Sequence, residues 1–144
     1  MIRVLEYAGR NKLPVLVLEY HGEGSTIDVL KEKVDSLATT VTYVAKPHDS
    51  GFKNTDLDER LKQLSVSEVV LMGINASACV KATGESALKN GFGITTSLDL
   101  ITDHPSVLSP LGIGHRSVNW YKQHGVVAPN HRDLLRTISQ KEMH

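Results

Sequence analysis

The sequence predicts an α/β fold, a single-domain doubly wound parallel sheet with helices on both faces. Apolar segments alternate with helical patterns along the chain, which is typical of this class. The apolar segments are nearly continuous and contain many β-branched residues, as in strands that are buried on both faces. The chain has 144 residues and 40% hydrophobic content, which suits one compact domain over residues 1–144.

Five segments are predicted to be strands because each is short, largely apolar and bounded by turn residues. The first reads Leu-Pro-Val-Leu-Val-Leu-Glu-Tyr, and the third contains Val-Val-Leu-Met. The predicted strands cover residues 13–20, 41–45, 68–73, 93–98 and 125–128. Right-handed crossovers between them restrict the possible strand orders to a few.

Six helices are predicted from apolar residues at helical spacing. Thr55 is followed three residues later by Asp58, close to a capping box. Asn90-Gly91 is a normal helix stop, and Asn130 is a predicted helix cap. The predicted helices cover residues 1–11, 26–37, 55–64, 78–89 and 114–123, with the last one opening at Asn130.

Composition excludes several classes of partner. Lys+Arg and Asp+Glu number 16 each, so nothing predicts attraction to nucleic acid or to an anionic membrane. The zero net charge favours self-association. A single cysteine rules out an internal disulfide and indicates a reducing compartment. With no apolar run of about 18 residues and no signal-peptide pattern, we expect a cytoplasmic protein without a membrane partner.

Cys79 is the first candidate for chemistry. The segment 73–83, Gly-Ile-Asn-Ala-Ser-Ala-Cys-Val-Lys-Ala-Thr, follows a buried strand and leads into a helix. This placement puts the thiol at the carboxyl edge of the sheet, where ligands of open α/β sheets bind. The positive end of the helix stabilises a thiolate, and free amides there can hold an oxyanion. The alternative is a small buried residue that packs beneath a turn.

Lys46 ends the second predicted strand and therefore lies at the same edge of the sheet. A lysine at that position can stabilise a nearby thiolate. It can also transfer protons if burial lowers its pKa. The alternative is an exposed lysine at a strand end, the ordinary environment of this residue type.

The two segments together resemble a known family. Residues 46–57 read Lys-Pro-x-x-Ser-x-Phe-x-x-Thr-Asp-Leu, and residues 73–83 read Gly-Ile-x-x-x-x-Cys-Val-x-x-Thr. A helix ending at Gly91-Phe92 and a strand followed by Asp-Leu come next. In this order and spacing, across about residues 13–135, the sequence resembles the isochorismatase-like cysteine hydrolases.

The resemblance implies a set of site residues. Cys79 matches the nucleophile and Lys46 the catalytic lysine. The Ile74–Asn75 bond matches a cis peptide beside the site. The amides of Asn75 and Cys79 match the oxyanion donors, and Phe52 matches a position that lines the substrate pocket. The family cleaves small molecules, such as nicotinamide, N-carbamoyl compounds and the vinyl ether of isochorismate. We therefore expect a small-molecule substrate, no cofactor and a homo-oligomer, a dimer or larger.

One part of the family pattern has no match. The third catalytic residue of the family is an aspartate at the end of the first, central strand, and this sequence starts within what resembles the following helix. We therefore expect that strand and its acid to be absent, which typically costs about 10²–10⁴-fold in rate. The remaining strands either close into the order 2-1-3-4-5, pairing residues 13–20 with 68–73, or leave an opening for a strand of another chain.

Metal binding is not expected. The related nicotinamidases bind a metal through an Asp-x-His motif, whereas the matching stretch here reads Glu19-Tyr20-His21. The other histidines show no ligand spacing.

Three functional hypotheses follow from the sequence. The first is a hydrolase that attacks an amide or related bond through Cys79. The second is a catalytically inactive family member that serves as an interaction or structural subunit. The third is a shortened form of an ordinary enzyme of this family.

Overall fold

The computed structural model describes residues 1–103 and 115–143, with the side chains of 115 and 116 excluded. Helices and short strands alternate through these residues. The helices are α1 (Ile2–Arg10), α2 (Asp28–Asp35), α3 (Leu57–Gln63), α4 (Cys79–Lys89), α5 (His115–His124) and α6 (His131–Glu142). The strands are β1 (Val15–Tyr20), β2 (Val41–Lys46), β3 (Glu68–Val70), β4 (Gly73–Ile74), β5 (Gly93–Ser97), β6 (Ile101–Thr102) and β7 (Val126–Ala128).

All the strand pairs are parallel. β1 pairs with β2, β3 and β7 both pair with β5, and β4 pairs with β6. The predicted α/β class with parallel strands is confirmed. Of the strands, β4 as a separate element and β6 were not predicted, because two residues are too few to give a periodic pattern.

The third predicted strand, 68–73, is broken in the structure. The Leu71 amide still donates to Thr95 of β5 at 2.9 Å, but the Gly73 amide donates to the Leu100 carbonyl at 3.0 Å. Gly73 has φ +146°, a conformation that L side chains rarely adopt, so glycine allows the chain to leave β5 here. The break turns the following residues towards β6 and the predicted catalytic turn.

The sheet is discontinuous between its two main parts. Within residues 1–103 and 115–143, β1 pairs only with β2, and β3 pairs only with β5. The closed order 2-1-3-4-5 is therefore not formed. Leu16 and Leu18 of β1 instead pack their side chains against the larger of two hydrophobic core clusters, called the main core below.

The core divides into two clusters. The larger cluster contains Leu61 of α3, Val80 of α4 and Tyr121 of α5. The smaller contains Val4 of α1 and Leu134 of α6. Helices α3, α4 and α5 thus share one cluster and α1 and α6 the other, as expected for a sheet covered on both faces.

The helix starts test two sequence predictions. Asn130 caps α6, since its side chain accepts hydrogen bonds from the amides of residues 132 and 133 at 2.9 and 3.0 Å. The capping box between Thr55 and Asp58 is not formed: α3 begins at Leu57, and the Thr55 hydroxyl accepts from the Leu57 amide at 3.3 Å and donates to the Gly51 carbonyl at 2.5 Å. Asp58 pairs with Lys62 instead. None of the described helices is long and apolar enough to cross a membrane.

Candidate active site

Cys79 is the first residue of α4 and follows directly from a turn at the end of β4. The Asn75 amide donates a hydrogen bond to the sulfur at 3.2 Å, and the thiol donates to the Ile74 carbonyl at 3.1 Å. The Ile74–Asn75 peptide is cis. The Cys79 amide, at the first position of the helix, has no intrahelical acceptor. Two backbone amides therefore lie beside the sulfur and are suited to an anion.

The turn that carries Cys79 is held by buried groups of other elements. Tyr121 of α5 donates its hydroxyl to the Ala76 carbonyl at 2.6 Å. Asp103, which is 2% exposed, accepts hydrogen bonds from the amide and hydroxyl of Ser77 at 2.7 and 2.6 Å. These contacts fix the backbone between the cis peptide and Cys79, so the position of the sulfur depends on residues far away in the sequence.

Lys46, the last residue of β2, is buried, with 4% of its surface exposed. Its ammonium donates to the carbonyls of His48 and Asp49 at 3.0 and 3.1 Å. Burial lowers the pKa of Lys46, while the negative charges of the Cys79 thiolate and the Asp49 carboxylate oppose this shift. The amine therefore has a lowered pKa and interacts electrostatically with the sulfur.

Two hydrogen bonds join the segment after Lys46 to the helix that begins with Cys79. The Gly51 amide donates to the Thr83 hydroxyl at 2.9 Å, and the hydroxyls of Ser50 and Ser86 lie 2.7 Å apart. The serine and threonine of the two sequence motifs thus connect those motifs in space.

Phe52 lies in the same segment and is half-buried against the main core. Its ring centroid is 6.2 Å from that of Phe92, and its amide donates to the Ser50 hydroxyl at 3.2 Å. These contacts hold the Phe52 ring against the main core. Its contact with a substrate stays a prediction.

Sequence analysis missed four residues that surround this site, namely Tyr20, Asp49, Asp103 and Tyr121. The position of Tyr20 could have been predicted from the sequence, because Tyr20 ends β1 as Lys46 ends β2. The two residues are register partners. The position of Asp103 could not have been predicted, since Asp103 follows the unpredicted strand β6.

The described residues include no group of three His, Cys, Asp or Glu side chains that could hold a metal ion. Glu19, which by resemblance matches the metal-binding aspartate of the nicotinamidases, accepts a hydrogen bond from the Thr26 amide at 2.8 Å. This hydrogen bond lowers the pKa of Glu19. The carboxylate is therefore committed to the backbone of the following segment.

Comparison with known proteins decides the family. The family model described as the isochorismatase domain matches residues 3–112, which include both sequence motifs and every predicted site residue. The chain belongs to the isochorismatase family. The parallel α/β architecture described above is thus that of an isochorismatase domain.

Individual relatives agree with this assignment. The nicotinamidase of Saccharomyces cerevisiae is 35% identical over 71 residues, which cover 46% of this chain but only 33% of the yeast protein. The nicotinamidase of Staphylococcus aureus superposes with a TM-score of 0.70 at 18% identity, over 84% of this chain and 75% of that one. N-carbamoylsarcosine amidase from Thermoplasma acidophilum gives 0.70 at 22% identity, over 88% and 78%. These two structures share the isochorismatase fold.

Proposed function

We propose that this isochorismatase-family chain hydrolyses a C–N bond of a small amide through the Cys79 thiolate. The observation that carries the proposal is the geometry at the sulfur. The Asn75 amide points at it from 3.2 Å, it stands at the start of α4, and the buried Lys46 ammonium interacts with its charge. Amides are the preferred substrate class because the similar proteins include two nicotinamidases and an N-carbamoylsarcosine amidase.

The first half of the reaction forms a thioester. The neutral Lys46 amine takes the thiol proton and becomes the ammonium. The thiolate then attacks the amide carbon, so that a C–S bond forms and the carbonyl π electrons move to oxygen. The amides of Asn75 and Cys79 donate to this oxyanion. When the intermediate collapses, the C–N bond breaks and the Lys46 ammonium gives its proton to the departing nitrogen.

The second half returns the enzyme to its starting state. Water attacks the thioester carbon, and the neutral Lys46 amine accepts a proton from it. Collapse breaks the C–S bond, releases a carboxylic acid and returns the proton to sulfur. The lowered pKa of Lys46 supports both halves, since a lysine with its ordinary pKa is a poor proton acceptor near neutral pH.

Ammonia release from a panel of small primary amides and N-carbamoyl compounds tests this proposal. We expect turnover that is abolished in Cys79→Ala and about 10²–10⁴-fold slower in Lys46→Met. The matched control is Lys31→Met, which removes an exposed lysine that pairs with Asp35. Equal turnover by the full chain and Cys79→Ala would exclude the thiol as nucleophile.

The second candidate is a family member without hydrolase activity that acts as an interaction or structural subunit. One observation favours it: among the residues that the structure describes, the Lys46 ammonium and the Cys79 thiol direct their hydrogen bonds to backbone carbonyls, not to a carboxylate. A folded protein that binds amides without turnover, at any pH between 5 and 9, would support this candidate over the enzyme.

A further inference from the structure

Tyr20 and Lys46 end adjacent strands and form a cross-strand pair. In the parallel β1–β2 ladder the two residues are register partners, so their side chains project from the same face of the sheet. The Lys46 Nζ lies 3.3 Å from the centroid of the Tyr20 ring. Strand register, a property of the backbone, therefore places an aromatic face directly against the buried ammonium.

The ring is itself held by the segment that receives Lys46. The Tyr20 hydroxyl donates to the Asp49 carboxylate, and the Asp49 carbonyl accepts from the Lys46 ammonium at 3.1 Å. One residue of this segment thus contacts both partners, the phenol through its side chain and the ammonium through its backbone. The Tyr20 ring and the carbonyls of His48 and Asp49 therefore all contact the ammonium.

We propose that Tyr20 is a positioning residue: its ring face fixes the buried Lys46 ammonium, and through Lys46 it controls the reactivity of Cys79. The inference rests on the proposed function of Lys46 and adds a residue that the family motifs do not contain. Cation–π attraction is strongest when the cation is desolvated, as this ammonium is. The ring therefore favours the charged form of the amine, whose charge interacts with that of the Cys79 thiolate.

The test uses alkylation of the full chain by iodoacetamide, in which the thiolate forms a C–S bond and iodide leaves. Cys79 is the only cysteine, so the rate reports one sulfur and requires no substrate. We expect Lys46→Met to slow alkylation at pH 7 about tenfold, because the thiolate then loses the positive charge that stabilises it. We expect Tyr20→Leu to slow it at least about fivefold, and Tyr20→Phe, which retains the ring, less than about twofold.

Tyr43 provides a matched control. Its ring lies 4.9 Å from the Lys31 ammonium, and its hydroxyl donates to Asp35 at 2.6 Å, which reproduces the same three residue types at an exposed site. Tyr43→Leu is expected to leave the alkylation rate unchanged. Because it removes the same side chain from the neighbouring strand, it separates a local effect from a general loss of sheet stability.

The outcomes distinguish this inference from the proposed function. If Lys46→Met slows alkylation and Tyr20→Leu does not, the positioning role is excluded while the role of Lys46 stands. If Cys79 is alkylated as slowly in Tyr20→Phe as in Tyr20→Leu, contact with the aromatic ring does not position Lys46. If Lys46→Met has no effect, the electrostatic basis of the proposed function fails, and the positioning role fails with it.

A measurement on the unmutated protein keeps the inference testable if Tyr20→Leu does not fold. Protons above an aromatic face are shielded by the ring current. The Lys46 ε-methylene resonances are therefore expected upfield of those of Lys31, whose ammonium lies farther from its ring. Unshifted Lys46 resonances would overturn the proposed contact.

Discussion

The Gly51 amide donates a hydrogen bond to the Thr83 hydroxyl at 2.9 Å, and both residues are buried. Gly51 belongs to the segment that follows Lys46, and Thr83 lies one turn into the helix that begins with Cys79. This bond is therefore a direct link between the two halves of the candidate site.

Replacement of Thr83 by valine tests that link. Valine matches threonine in shape but leaves the buried Gly51 amide without its acceptor, which costs about 1–3 kcal/mol of unfolding free energy. Urea denaturation measures the loss, and the alkylation rate of Cys79 is expected to fall with it. Thr137→Val, which removes only a bond to Asp133 within α6, is the control. An equal effect of the two changes would contradict a special role for the Gly51–Thr83 bond.

Removal of the Tyr121 hydroxyl is expected to loosen the turn before Cys79. Tyr121→Phe keeps the buried ring but leaves the Ala76 carbonyl without its donor, so the unfolding free energy falls by about 1–3 kcal/mol. Tyr7→Phe, which breaks an exposed bond to Glu142, should cost under about 0.5 kcal/mol. Thermal unfolding of both variants checks the difference. A Tyr121→Phe protein as stable as Tyr7→Phe would show that the turn does not depend on α5.

Some features of the site are predictable from the sequence, and others are not. Strand and helix alternation predicts that Lys46 and Cys79 share one edge of the sheet, because that conclusion requires only the order of the elements. The partners that hold them are set by register and by tertiary packing. Asp103 and Tyr121 come from elements far along the chain, and no local pattern connects either residue to the turn at 75–78.

The strand predictions that were wrong also depended on tertiary contacts. The apolar run 69–72 predicts one strand over 68–73, yet the φ of Gly73 directs the chain to β6. A glycine at the end of a strand is compatible with a simple turn or with a change of partner. Only the location of β6 distinguishes them, and a strand of two residues has no recognisable period.

Asp99 is expected to make the stability of the chain depend on pH in the acid range. Burial acts to raise the pKa of Asp99, but hydrogen bonds from Ser97 and His131 outweigh it and lower the pKa to about 2, from an ordinary value of 3.8. Because the folded pKa is the lower one, this contribution is present above pH 3.8 and is lost as the pH falls towards 2. The carboxylate is 40% exposed, so we expect only about 1 kcal/mol after solvent screening.

Asp99→Asn provides the measurement. Urea denaturation at pH 7 should show the variant less stable by about 1 kcal/mol, and the difference should shrink as the pH falls below 3.8. Asp28→Asn, which changes an exposed aspartate in the first turn of α2, is the control, with an expected change of about 0.5 kcal/mol or less. A deficit in Asp99→Asn that stays constant from pH 7 to pH 2 would contradict the role of the ionised carboxylate.

A side chain at Gly125 is expected to destabilise the fold, because α5 passes into β7 there against the backbone of β5. A Cβ at this position would lie 2.5 Å from both the carbonyl oxygen and the Cγ1 of Ile94. The carbonyl cannot move without disturbing the β5–β7 ladder, so Gly125→Ala should lower the unfolding free energy by about 1–3 kcal/mol. Gly24→Ala meets open space and should change stability by under about 0.5 kcal/mol. The urea concentrations at the unfolding midpoints of the two variants measure this difference in stability. Equal midpoints would show that β7 does not approach β5 as closely as described.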